Sequence, residues 1–167
     1  MNNLVPLLVA IPMGMGFLIP LAARWHAKLA DGLGGIAVLT ALCISFSLLG
    51  REMTYHVGGW STPIGIDLKV DPLAVLMLLI TNSLALLVVV YSAGPGVLAA
   101  SRYPYYSLLM FLVAGTNGVA ISGDLFNLYV FIEITAIASY ALVAFAGRDE
   151  SLEASFKYAV LGGLSSS

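Results

Sequence analysis

The sequence predicts an all-α polytopic membrane protein, a bundle of about six transmembrane helices with little mass outside the bilayer. Three observations carry that prediction. Mean hydropathy is +0.98, and 60% of the 167 residues are hydrophobic. Only 10% are charged, against about 25% in an ordinary soluble domain, so the chain lacks the polar surface to face water all round. The apolar residues are also gathered into runs near the length of about 20 residues that a helix needs to cross hydrocarbon.

The runs occupy residues 4–23, 29–49, 72–92, 104–122, 124–146 and 154–167. Each of the first five is long enough to cross, and strands are excluded by length and by the lack of alternation. The first run starts without a positive charge and continues through Pro6, Pro12 and Pro20. It therefore reads as a retained helix bent by its prolines, not as a cleaved leader. The last run, of only about 14 residues, stops at Leu164-Ser165-Ser166-Ser167 without a basic or aromatic anchor. The expectation is a single transmembrane domain over 1–167 whose sixth helix is incomplete, the chain being truncated or split from a partner that continues the fold. Cys43 lies in an apolar run and is expected to be a buried small hydrophobe.

Charges between the runs give an orientation. Arg24, His26 and Lys28 lie between the first and second runs, Arg102 between the third and fourth, and Arg148 after the fifth. By the positive-inside rule these loops are cytoplasmic and the N-terminus is outside, although Arg51 and Lys69 fall on the opposite side. Residues 50–71 then form an extracytoplasmic loop. Its Gly58-Gly59-Trp60 and Thr62-Pro63-Ile64-Gly65-Ile66 predict a short hairpin on the membrane surface, with Trp60 as an interfacial anchor. Asp124, following Gly123, is placed to cap the fifth helix.

Glu133 is the one charge deep in a span, about ten residues into the fifth run and near the bilayer midplane. An ionised carboxylate there costs several kcal/mol unless it is paired, hydrated or protonated. It is therefore the prime candidate for a proton relay. Tyr129 and Tyr140, at i−4 and i+7, share its face. Asn82 in the third run and Asn117 in the fourth add polar groups at comparable depth, serving either a hydrated path or interhelical hydrogen bonds. Lys157 forms an i,i+4 couple with Glu153, either a rim ion pair or a group reaching towards a proton path. There is no metal-spaced Cys/His cluster, no phosphate-binding glycine loop and no basic block. Catalytic residues, a metal, a cofactor in this chain and nucleic-acid binding are therefore not expected.

The stretch Gly123-Asp124-Leu125-Phe126-Asn127-Leu128-Tyr129-Val130-Phe131-Ile132-Glu133, continuing to Ala138-Ser139-Tyr140-Ala141-Leu142, resembles a known family. This is the antiporter-like, proton-translocating membrane subunit family of respiratory complex I, Mrp-type antiporters and membrane-bound hydrogenases, with the Mrp D-type protein the nearest likeness. Gly58-Gly59-Trp60, Asp71-Pro72-Leu73 and Lys157-Tyr158 extend the resemblance over most of the chain from about residue 56. It implies the N-terminal half of an antiporter-like fold and identifies Glu133 with the family's essential fifth-helix glutamate. Asn127 is one of the motif's fixed polar positions. The family's seventh-helix lysine and second inverted repeat have no counterpart in this sequence.

The resemblance further implies a subunit of a multisubunit complex in a prokaryotic cytoplasmic membrane, moving H⁺, with Na⁺ as the second candidate ion. Its partners would be other membrane subunits, including a chain supplying the missing C-terminal helices, and the lipid bilayer. The rival expectation is a structural membrane-arm subunit in which Glu133 only fixes packing and assembly. A free-standing small transporter and a fragment of a split gene are further alternatives.

Overall fold

The structure, a computed structural model, describes residues 4–25, 29–60, 65–94 and 102–166. His26 and Lys28 of the first connection, and Thr62, Pro63 and Ile64 of the long loop, lie outside the described residues. The order of elements is α1 (Leu7–Ala22), α2 (Leu29–Ser47), β1 (Met53–His56), β2 (Asp67–Val70), α3 (Pro72–Ser92), α4 (Arg102–Ile121), α5 (Leu125–Ala144) and α6 (Asp149–Ser166). By length and composition, α2, α3, α4 and α5 can each cross a membrane.

The first and last helices differ from the apolar runs. The first has 16 residues, a rise of roughly 24 Å, because its regular turns begin only after Pro6 and stop at Ala22. The last begins at Asp149, before its apolar segment. Asp149 and Glu150 fill the first turn, where unsatisfied N–H groups and the helix dipole favour acidic side chains. Ser151 stabilises that start by exchanging hydrogen bonds with the backbone of Arg148.

Two prolines lie inside α1, and each lacks the N–H that the carbonyl four residues earlier would accept. Those carbonyls belong to Leu8 and Gly16. Both are met by α4: the Asn117 amide donates to the Leu8 carbonyl at 3.0 Å, and the Ser107 hydroxyl donates to that of Gly16. In hydrocarbon an unmet carbonyl costs several kcal/mol, so α1 and α4 are matched by complementary defects. Close approach is helped by Gly16, whose α-carbon faces the ring of Phe111.

α4 is the central helix, packed chiefly between α1 and α5. The core gathers in two clusters, one around Leu8, Leu48, Leu78 and Ile121, the other around Ile19, Val38, Tyr106 and Met110. Between them sits a buried polar knot. Asn82 and Asn117 exchange hydrogen bonds at 2.9 and 3.2 Å, and the Asn82 amide also donates to the Ser45 hydroxyl and the Leu78 carbonyl. Four helices thus meet at two asparagines.

Cys43 is exposed on α2 instead of buried. The inward face of that helix is taken by Ala37, Ala41, Ile44 and Ser45, which turns Cys43 outward.

In the loop between α2 and α3, β1 and β2 pair antiparallel from Met53–Val70 to His56–Asp67. The strands flank the glycines: Gly58 and Gly59, at φ 72° and 80°, make the turn out of β1, and Trp60 is 63% exposed. The hairpin grips the α4–α5 turn. Gly123 N–H donates to the Asp67 carbonyl at 2.8 Å, and Asp67 N–H donates to the Asp124 carboxylate at 3.2 Å. The Asp67 side chain meets His56 Nδ1 at 2.6 Å. At the opposite end of α4, Arg102 pairs with Asp31 of α2 at 2.5 Å, a contact that counting loop charges does not reveal.

Candidate functional site

The site is built on α5, whose start is determined locally. Asp124 has extended backbone and its carboxylate accepts from Asn127 N–H at 2.7 Å, satisfying one of the orphan donors of the first turn. The Asn127 side chain is buried and donates to the Ser122 hydroxyl at 3.1 Å. Asn127 therefore secures the α4–α5 turn.

Rotation of α5 is set by two glycines of α4. The ring of Phe131 rests on Gly118, and Thr135 rests on Gly115; a Cβ at either glycine would collide with these residues. Glu133 lies between them in sequence. At about 100° per residue it is turned roughly 160° from Phe131, on the side of α5 away from α4. It is half-buried, the ninth residue of a 20-residue helix. Among the described residues no hydrogen bond or ion pair reaches it. Only Asn127 and Ala138 of α5 are fully buried, so the Glu133 side of this helix is largely uncovered.

Tyr129 and Tyr140 share that side but have different surroundings. Tyr129 is 50% exposed. Tyr140 forms an edge-to-face pair with Tyr158 of α6 at 4.7 Å, packs against Gly162, and accepts at its carbonyl from the Ser155 hydroxyl at 2.8 Å. It is the main joint between α5 and α6. Lys157 pairs with Glu153 at 2.5 Å, and both side chains are about two-thirds exposed. Asn82 and Asn117 are brought together, as described, but their amides are engaged with each other and with α1, α2 and α3.

A groove of about 470 Å³ opens between α3, α4, α5 and α6, next to the turn that carries Glu133. Its lining includes Tyr158 and the hydroxyls of Thr81, Thr116, Thr135 and Ser139. Each of those threonine and serine hydroxyls donates to a carbonyl of its own helix, leaving an apolar wall with acceptor oxygens. Among the described residues no cluster of His, Cys, Asp or Glu could hold a metal ion.

Sequence reasoning missed the partners of the asparagines. The signal was present: Pro12 leaves the carbonyl of Leu8 without a helical donor, and a buried amide on another helix is the obvious substitute. Ser45 offered no such sign, since a serine in an apolar helix ordinarily bonds back to its own backbone, as it also does here to Ala41.

Residues 122–167 match the family described as NADH:quinone oxidoreductase/Mrp antiporter, TM. The N-type subunit of an NADH-quinone oxidoreductase from Desulforudis audaxviator (strain MP104C) is 35% identical over 165 residues, covering 93% of this chain and 32% of that protein. The D-type subunit of a Na⁺/H⁺ antiporter from Bacillus subtilis (strain 168) is 36% identical over 172 aligned residues, covering 99% and 34%. A solved chain of the membrane-bound sulfane sulfur reductase, an archaeal respiratory membrane complex, superposes with a TM-score of 0.90 at 32% identity, covering 99% and 35%. The chain thus spans about a third of the length of the relatives it matches. With the fifth-helix motif, the six-helix bundle and these likenesses in agreement, the chain belongs to the antiporter-like membrane subunit family shared by NADH:quinone oxidoreductases and Mrp antiporters.

Proposed function

We propose that this chain serves in a membrane subunit of a multisubunit cation/proton-translocating complex, with Glu133 as a protonatable relay. The observation that carries the reading is Glu133 itself: a carboxylate in the middle of an apolar helix, without a partner among the described residues. Such a group is expensive in hydrocarbon unless it exchanges a proton or meets a counter-charge. The relatives, named as parts of a Na⁺/H⁺ antiporter and of an NADH-quinone oxidoreductase, supply the class of activity.

In this reading the largely uncovered side of α5 faces the remainder of the antiporter-like fold, supplied by further helices beyond those described. The transported ion is H⁺, with Na⁺ as the exchanged partner in an antiporter setting. The chain itself holds no cofactor. The membrane is the prokaryotic cytoplasmic membrane, with the hairpin and N-terminus outside, as the basic residues Arg24, Lys28, Arg102 and Arg148 of the first, third and fifth connections favour. Lys157 is assigned to the rim through its pair with Glu153, with a role in transport left to mutation.

Glu133→Gln in the intact complex tests the reading. Expected is loss of proton-coupled transport in vesicles with assembly unchanged on native gels. Normal transport by the variant would sink it. Loss of assembly before any loss of coupling would instead favour the rival role, in which Glu133 pairs with a partner only to fix packing.

A further inference from the structure

We propose that Asn117 is a positioning residue for Glu133, acting through the rotation of α4; its effect on transport rests on the relay reading above. Asn117 is fully buried and tied on two sides. Its amide donates to the Leu8 carbonyl of α1 at 3.0 Å and to Asn82 of α3 at 3.2 Å. Its own carbonyl accepts from Asn82 at 2.9 Å. A helix held this way cannot turn about its axis without leaving buried polar atoms unmet.

The other side of the same stretch of α4 sets α5. Gly115 is two residues from Asn117 and roughly 160° around the helix, and Gly118 is the next residue, roughly 100° around. These are the glycines that receive Thr135 and Phe131, the residues two after and two before Glu133. A turn of α4 would move both seats, and α5 would have to turn or lift with them. The second tie to α1, at Ser107, lies roughly two to three turns from the glycines and holds the other end of α4. Asn117 thus links α1 and α3 to the direction in which Glu133 points, without touching Glu133.

The test separates positioning from stability. In Asn117→Ala the Leu8 carbonyl loses its donor from α4, and the complex should be less stable. Adding Pro12→Ala returns a helical N–H to that carbonyl, and Asn82 keeps its bonds to Ser45 and Leu78, although its side-chain oxygen loses the Asn117 donor. The double variant P12A/N117A in the native complex should therefore recover most of the stability that Asn117→Ala loses and assemble on native gels. Its transport rate should nonetheless fall at least about tenfold, the scale expected when a reacting group is displaced by a fraction of an ångström to one ångström. The infrared carboxyl bands that Glu133→Gln removes should also shift in frequency. A second variant, P12A/N117L, fills the space without hydrogen bonds and should behave alike. Bands at the wild-type frequency, or wild-type transport, in the assembled double variants would overturn the inference. If Glu133→Gln itself transports normally, the relay reading falls instead, and the bands alone decide the positioning.

Discussion

The side-chain amide of Asn117 lies 3.0 Å from the carbonyl oxygen of Leu8, the acceptor that Pro12 strips of its helical donor. The same arrangement recurs two turns along α1, where Ser107 donates to the Gly16 carbonyl that Pro20 strips. A proline in a helix interior ordinarily destabilises by about 3 kcal/mol. In this bundle the freed carbonyls have become the acceptors that seat one helix on another, so proline and polar residue form units. Their mutational effects should not add.

At the second of these units, Ser107→Ala should destabilise the protein by about 1–2 kcal/mol, since it leaves a buried carbonyl unmet. In a Pro20→Ala background the same substitution should be nearly neutral, because the alanine N–H serves Gly16 from within α1. A double-mutant cycle on thermal or denaturant unfolding in detergent measures the coupling. Additive effects would show that Ser107 does not serve the proline's carbonyl.

Gly118→Val should push Phe131 off α4 and lower stability by about 1–3 kcal/mol through overpacking. Phe131→Ala, by removing the obstructing ring, should make the valine tolerable and bring the double variant above the sum of the single losses. The melting temperatures of the three variants check this, and a harmless Gly118→Val would refute the glycine seat.

Removing the Asp124 carboxylate affects two elements together. Asp124→Ala abolishes the cap on Asn127 N–H and the acceptor for Asp67 N–H, with a cap alone worth about 1 kcal/mol. Amide exchange should accelerate at Asn127 and at Asp67, in α5 and in the hairpin alike. Acceleration confined to α5 would mean that the hairpin holds the turn without Asp124.

For Lys157 the expected effect is small. Its partner Glu153 is one turn away and both side chains are about two-thirds exposed, so Lys157→Ala should change stability by less than about 0.5 kcal/mol and leave transport unaltered. A strong transport defect in an assembled complex would move Lys157 from the rim into the ion path.

Hydropathy alone was sufficient to recognise six helices, because in lipid each backbone donor must be met within its own segment and apolar length is a direct physical requirement. Helix ends were less legible. The sixth apolar run starts only at residue 154, yet the helix begins at Asp149, because acidic side chains in the first turn of α6 stabilise a helix start. The Glu133 carboxylate stood out by its placement in an apolar run. Its direction did not, since that depends on Gly115 and Gly118 in another helix. For Asn82 and Asn117 the sequence left a hydrated path and a packing role open. Their reciprocal hydrogen bonds account for the amides as interhelical ties, a choice that requires knowing which residues face each other.

The bonds between α1 and α4 join residues 109 and 91 positions apart. During synthesis α1 must therefore leave the ribosome and meet the membrane long before Asn117 and Ser107 exist. Through that interval two of its carbonyls have neither a helical donor nor their final partner. The first helix therefore stays incompletely satisfied until the fourth has been made and packs against it.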